Sequence, residues 1–208
     1  MNMHHIIITG ASRGIGHATA LLYASMGWNI SICSRHCDYQ MTQTQDAITA
    51  AGGQYFSFCG DMGNATDAEE FLAKAVQTFG TPEILVNNAG ISHIGLLQDM
   101  TPMQWDDIIR TNLSSVFYTS RVIIPYFLQE KHGRIINVSS VWGSVGASTE
   151  VAYSTTKGGI NAFTKALAKE LAPSGIPVNA VACGMIDTSM NSFLDPEELA
   201  AVIDEIPA

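Results

Sequence analysis

The feature that most constrains this chain is an alternation. Short runs rich in β-branched, aromatic and other apolar residues recur along it, separated by longer stretches of helical character. The runs are HHIIIT (His4–Thr9), NISICS (Asn29–Ser34), QYFSFC (Gln54–Cys59), EILVNN (Glu83–Asn88), RIINVS (Arg134–Ser139) and PVNAVA (Pro177–Ala182). Several are near-continuous apolar runs, the pattern of strands covered on both faces. Strands of that kind joined by helices run parallel, because each crossover returns the chain to the same end of the sheet. The expected fold is α/β: a doubly wound parallel sheet in three layers, α/β/α. Ligands in such sheets bind beyond the carboxyl ends of the strands, so the residues just after each strand matter most.

One helix marks its own start. Thr101, Pro102 and Gln104 spell an N-cap, a proline at N1 and a capping-box partner. The stretch is expected to run as one helix to Gly133 as its C′ residue, with a kink at Pro125. No repeat or linker interrupts the chain, and 208 residues suit one domain spanning 1–208. With 47% hydrophobic and 14% charged residues the chain is globular. Its net charge of −9 argues against nucleic acid, which needs a basic face. No apolar run approaches the roughly 18 residues of a membrane span. MNMHHIIITG lacks the basic n-region of a signal peptide, so a cytoplasmic location is expected. Cys33, Cys37, Cys59 and Cys183 form no C-x-x-C, and read as buried free thiols rather than metal ligands. His36, beside Cys37 and Asp38, reads as part of a solvated loop.

The first strand runs into TGASRGIG, Thr9–Gly16. Gly10, Gly14 and Gly16 stand where a strand turns into a helix. Glycine permits the turn and lets a pyrophosphate approach the backbone at a helix N-terminus. The spacing is a variant of the commoner dinucleotide fingerprint. After the second strand the chain has Ser34 and Arg35 in place of the carboxylate that would hold the ribose 2′-hydroxyl of NAD. Arg35, with Arg13 from the glycine turn, can pair with a 2′-phosphate, which favours NADP(H). In EVAYSTTKGG, Tyr153 and Lys157 stand four residues apart on one helix face. A cation beside a phenol lowers its pKa from about 10 and makes it a usable acid or base.

TGASRGIG, NNAG (Asn87–Gly90), TNLSSVF (Thr111–Phe117), NVSS (Asn137–Ser140) and YSTTK occur together, in order. On these motifs the chain resembles the short-chain dehydrogenases/reductases over almost its full length, which implies a Rossmann-like fold. The resemblance implies Tyr153 as proton donor and Lys157 as the group that tunes it and holds the nicotinamide ribose. It makes Ser140 the holder of the substrate oxygen, chosen over Ser139 by its spacing to the tyrosine, and Asn112 the organiser of a relay water. It implies cofactor contacts from Gly10, Ser12, Arg13, Gly14, Ile15 and Gly16 in the turn. Further contacts are implied from Ser34, Arg35, Asp61, Met62, Asn88, Ala89 and Gly90, then from Tyr153 and Lys157, and lastly from Gly184, Ile186 and Thr188. Cys183 replaces the family's proline before Gly184. The chain ends where the family continues with a helix and a seventh strand, elements that build one subunit interface; a homo-oligomer, dimer or tetramer, is still implied.

The general likeness is to 3-oxoacyl-acyl-carrier-protein reductases. SSVWGSVGASTEVAYS and SFLDPEELAAVIDEIP look more like elongation factor P 5-aminopentanone reductases, with Trp142 and Glu150 as the distinguishing positions. The implied substrate is a ketone carried on elongation factor P or on acyl carrier protein, bound by Ser140, Trp142, Glu150 and Tyr153. For a carrier-protein partner, Lys131 and Arg134 are candidate docking cations, while Ser174 stands where arginine is often found. Two bland readings stand beside these: Trp142 as packing, and Glu150 as a solvated glutamate in a helix's first turn. A third class, an inactive dinucleotide-binding regulatory protein, is opposed by the complete Ser–Tyr–Lys–Asn set.

Overall fold

The computed structural model describes residues 4–189 together with 195, 197, 200, 203 and 204. Among these, six strands form one parallel sheet: β1 (His5–Thr9), β2 (Asn29–Ser34), β3 (Gln54–Cys59), β4 (Ile84–Asn87), β5 (Arg134–Ser140) and β6 (Val178–Cys183). Their order is β3-β2-β1-β4-β5-β6. The chain builds from β1 to one edge, then crosses back and builds from β4 to the other. The reversal leaves a crevice beyond the carboxyl ends of β1 and β4.

The burial pattern follows from that order. β1, β2 and β4 are buried at every position, whereas the edge strands β3 and β6 are largely exposed or half-buried. Successive isoleucines of β1 point to opposite faces. Ile7 joins Leu85, Phe127 and Ile135 in one core, while Ile6 and Ile8 join Ile30, Ile32 and Ala20 in the other. Helices α1 (Gly14–Ser25), α2 (Tyr39–Ala50) and α3 (Ala65–Phe79) follow the first three strands. Asp38 caps α2 through the Met41 N–H, and Asn64 caps α3 through Thr66 and Asp67.

The helix expected from Thr101 to Gly133 is divided. Its capping box forms as read, but α4 (Pro102–Ile109) gives way to a π-turn at Arg110–Ser114 before α5 (Ser115–Glu130). The Ser115 N–H reaches back to the Arg110 carbonyl, one residue further than an α-helix allows. Pro125 lies inside α5. The helix ends at Lys131 with φ 53°, so Lys131 and not Gly133 takes the left-handed position. Gly133 follows with φ +144°, outside the αL region but still unfavourable to a side chain, and a Cβ there would also lie 2.3 Å from the Phe127 ring. The short α6 (Trp142–Val145) and the long α7 (Val151–Leu171) complete the helices.

A buried polar ladder crosses the sheet where β4 meets β5. Asn87 and Asn137 are register partners. Asn87 Nδ2 donates to Asn137 Oδ1 (2.9 Å), and Asn137 Nδ2 donates to Thr164 Oγ1 on α7 (2.9 Å). The Thr119 hydroxyl on α5 donates to Asn87 Oδ1 (2.6 Å).

The cysteines depart from the expectation. Cys33 is buried and free, and burial pushes its thiol up to about 12. Cys183 is free and half-buried. Cys37 and Cys59, however, are exposed and joined as a disulfide, with Cα atoms 5.6 Å apart. Parallel pairing sets Ser34 beside Cys59, so a residue just past the end of β2 comes to rest against the end of β3. No helix among the described residues is long and apolar enough to cross a membrane. Most of segment 192–207, read above for its family likeness, lies outside the described residues.

Candidate active site

The turn between β1 and α1 is built for close approach. Gly10 has φ +64°, and a Cβ on it would lie 2.7 Å from the Ala89 Cα. Gly16 has no unusual φ, but a Cβ there would lie 2.5 Å from the Gly10 carbonyl oxygen. Asn88 holds the turn from behind, donating from Nδ2 to the carbonyls of Thr9 (2.9 Å) and Gly10 (2.8 Å). The Thr9 hydroxyl accepts in return from the N–H groups of Asn88 and Ala89. No side chain caps α1. Its first N–H groups are thus left for an anion.

A cavity of about 950 Å³ runs from this turn to α7. Gly10, Ser12, Arg13, Gly14 and Ile15 line it at the turn. Ser34, Arg35, Asp61 and Met62 line one wall, and Asn88, Ala89 and Gly90 the floor between. Gly184, Ile186 and Thr188 close the other side, where the Thr188 methyl group packs near Gly14. Two expected residues are not on the wall. Gly16 is packed beneath the turn, and Asn112 is fully buried behind Gly90. Asn112 accepts from the Ile91 N–H (2.8 Å) and donates to the Ile91 carbonyl (2.8 Å) and Thr156 Oγ1 (3.2 Å). His36, expected in a solvated loop, is exposed but also borders the cavity, and its carbonyl accepts from the Ser34 hydroxyl.

At the far end β5 delivers Ser140, and α7 delivers Tyr153 and Lys157. Both Ser139 and Ser140 border the cavity, but the Ser139 hydroxyl is committed to Asn161 Oδ1 (2.7 Å). Lys157 Nζ donates to the Val138 carbonyl (2.8 Å) and stands 5.4 Å from the centroid of the Tyr153 ring. Desolvation lowers the Lys157 pKa to about 8, partly opposed by Cys183. The Tyr153 phenol does not shift as the sequence suggests. Its pKa is raised, chiefly by burial and further by electrostatic interaction with Glu150 and Cys183, against the lowering effect of a hydrogen bond with Ser140. Lys157 directs its ammonium at a carbonyl, and desolvation of the phenol prevails.

Trp142 and Glu150 also reach the cavity wall. Trp142 is 39% exposed, and its backbone N–H donates to Ser140 Oγ (3.2 Å). Glu150 is the N-cap residue of α7 but does not cap it; its carboxylate accepts from the Ser92 hydroxyl (3.0 Å). The preceding Thr149 has φ 63°, a strained value for a β-branched residue, and its carbonyl is tied to the Gly95 N–H (2.8 Å). That turn sets Glu150 inward, beside Ser92.

Residues 4–199 match the family model for short chain dehydrogenases. The chain belongs to that family. It is 40% identical over 205 residues to the 3-oxoacyl-[acyl-carrier-protein] reductase FabG of Escherichia coli K12, spanning 97% of this chain and 81% of that protein. It is 38% identical over 201 residues to FabG of Staphylococcus aureus Mu50, spanning 97% and 82%. The solved structure of a protein assigned as a short-chain alcohol dehydrogenase from Sinorhizobium meliloti 1021 superposes with a TM-score of 0.93 at 30% identity. That match covers all of this chain and 82% of the other.

This short-chain dehydrogenase is an oxidoreductase that uses a nicotinamide dinucleotide. Its residues fit one: the uncapped first turn of α1 offers N–H groups to a phosphate, and one cavity joins that turn to Tyr153. The motifs did not show every residue at the site. Ser92, the partner of Glu150, lies two residues past NNAG. Arg110, Asp107 and Thr111 hold Asp61 and Arg35 from α4 and the π-turn. Thr111 opens the TNLSSVF motif, and only adjacency to that motif could have drawn attention to Arg110.

Proposed function

We propose that this short-chain dehydrogenase reduces a ketone with NADPH, and that the ketone carries an ammonium group a few bonds from its carbonyl. The 5-aminopentanone group on a lysine of elongation factor P has that form. One observation carries the reading: Glu150 presents a carboxylate at the cavity wall beside Tyr153, and no cation pairs with it among the described residues. A carboxylate held there by one serine hydroxyl suits a cationic ligand and disfavours an apolar one.

The turn from Gly10 to Ile15, with Arg13, Arg35 and Asp61, would hold the phosphates and adenosine, and Lys157 the nicotinamide ribose. The bound nucleotide supplies a hydride to the carbonyl carbon. Ser140 and Tyr153 donate hydrogen bonds to the carbonyl oxygen, where negative charge develops. Tyr153 then delivers its proton. A phenol with a raised pKa holds that proton at neutral pH, which suits reduction more than oxidation. Lys157 keeps two N–H groups beyond the one on Val138. Asn112 anchors the chain after Gly90 and keeps the relay-water role as part of the proposal.

A second reading, a 3-oxoacyl-acyl-carrier-protein reductase, is favoured by the names of the FabG relatives. NADPH oxidation on both substrates separates the two. Glu150→Gln keeps the shape and removes the charge. It is expected to lower kcat/KM on the amino ketone roughly tenfold and to leave a neutral ketone of similar length within about twofold. Equal losses on both would remove Glu150 from recognition. No turnover of any ketone would favour a dinucleotide-binding protein without catalysis.

A further inference from the structure

Four charged side chains join behind the adenosine end of the cavity. Arg110 Nη1 donates to Asp61 Oδ2 (2.5 Å), and its Nη2 donates to Asp107 Oδ1 (2.6 Å). Arg35 stands beside the same two oxygens at longer range, Nε 3.5 Å from Asp61 and Nη2 3.6 Å from Asp107. The Arg35 guanidinium also donates to the Thr111 hydroxyl. The other Asp61 oxygen accepts from the Gly63 N–H (2.9 Å). Arg35 and Asp61 line the cofactor cavity, but Asp107 and Arg110 do not.

The charges balance, two against two, and the partnership is unequal. The short, hydrogen-bonded ion pairs belong to Arg110, which reaches both carboxylates at once in the fork geometry of a guanidinium. Arg35 makes only the looser contacts to them. Without Arg110, Arg35 would be the sole counter-ion of two carboxylates, and the cluster would carry a net negative charge beside the cavity.

We propose that Arg110 determines the choice of dinucleotide from outside the cofactor site. By neutralising Asp61 and Asp107 it releases Arg35 to a 2′-phosphate. Arg110 is a positioning residue, acting through Arg35 and touching no part of the nucleotide. The inference rests on the NADP(H) reading proposed above.

The test is steady-state kinetics with NADPH and NADH on one ketone. In Arg110→Met the KM for NADPH is expected to rise roughly tenfold, the scale of one unit charge acting through solvent on a phosphate of about two charges. The KM for NADH and kcat with either nucleotide are expected to stay within about twofold. Adding Asp107→Asn to Arg110→Met restores the balance and is expected to restore the NADPH KM. Arg110→Lys keeps the charge and most of the preference. Asp107→Asn alone leaves one surplus cation, and is expected to lower the KM for NADPH and spare that for NADH. The inference is overturned if Arg110→Met moves both nucleotides alike, or if Asp107→Asn fails to rescue it. If Arg110→Met does not fold, an Asp107→Asn protein with unchanged NADPH KM overturns it. A parent protein that uses NADH as efficiently as NADPH refutes the NADP(H) reading itself, which is a separate result from an unchanged ratio in the variants.

Discussion

Tyr153 and Lys157 are displaced from their ordinary titration ranges by the same cause, burial, and in opposite directions. The phenol keeps its proton at neutral pH. The ammonium keeps its charge below about pH 8 and loses it above. The kcat/KM for nucleotide, which reports the free enzyme, is expected to be level up to that pH and to fall beyond it. A fall seen only near pH 10 would contradict the assignment. Tyr153→Phe is expected to lower ketone reduction by a factor of about 100 or more and to leave nucleotide binding, read by fluorescence titration, within about twofold. A different residue carries a stability prediction. His5 is buried in β1, donating from Nδ1 to the Gly80 carbonyl (2.9 Å), with Nε2 left to accept from Ser31 (2.8 Å). Desolvation lowers its pKa from 6.5 to about 4, partly opposed by the Gly80 carbonyl. Above pH 6.5 both folded and unfolded chains hold a neutral His5. Between 6.5 and about 4 the unfolded chain takes the proton first, so stability falls as pH falls. The full loss is about 3 kcal/mol. Urea midpoints measured between pH 7 and 4.5 are expected to decline in the parent and to decline less in His5→Gln.

The glycine turn and the strands were the most legible elements. The central strands β1, β2 and β4 were readable because their apolar runs reflect burial on both faces, the edge strands β3 and β6 by their place in the alternation, and all bounds shifted by one residue at most. The turn was readable because three glycines mark it, yet they serve different needs. Gly10 combines positive φ with contact against Ala89, whereas Gly52 has positive φ and open space. Gly10→Ala is therefore expected to abolish nucleotide binding and destabilise the fold. Gly52→Ala is expected to cost only about 1 kcal/mol and to bind normally. Equal behaviour in urea and in nucleotide titration would show that conformation alone, not contact, selects glycine at position 10. The π-turn was not legible. RTNLS has no proline or glycine to mark it, and the extra residue in its hydrogen-bonded loop is set by packing around Asn112. Thr149 was not legible either, since nothing in its side chain announces a left-handed backbone.

Across the whole molecule, what the sequence hid is what the fold brings together. Arg35, Asp61 and Arg110 lie far apart in the chain and share no periodicity, and Cys37 meets Cys59 only because β2 and β3 pair. Nucleotide binding provides a test at this scale, because a ligand that binds only the folded chain stabilises it. At 100 times Kd the gain is about 2.7 kcal/mol, or a rise in Tm of about 5–10 °C for a chain of this size. NADPH is expected to give that rise at concentrations where NADH gives less; equal shifts at equal concentration would remove the preference. The asparagine ladder between β4 and β5 has a different consequence, one of inheritance. A slip of one residue would turn Asn87 and Asn137 away from each other and strand two amides in a dry interior. The same penalty meets a single substitution, since replacing either asparagine by an aliphatic residue leaves its partner unsatisfied. Positions 87 and 137, with Thr119 and Thr164 on the flanking helices, are thus expected to drift as a linked set, so that a lineage departing from this arrangement changes several residues together or passes through a poorly folded ancestor.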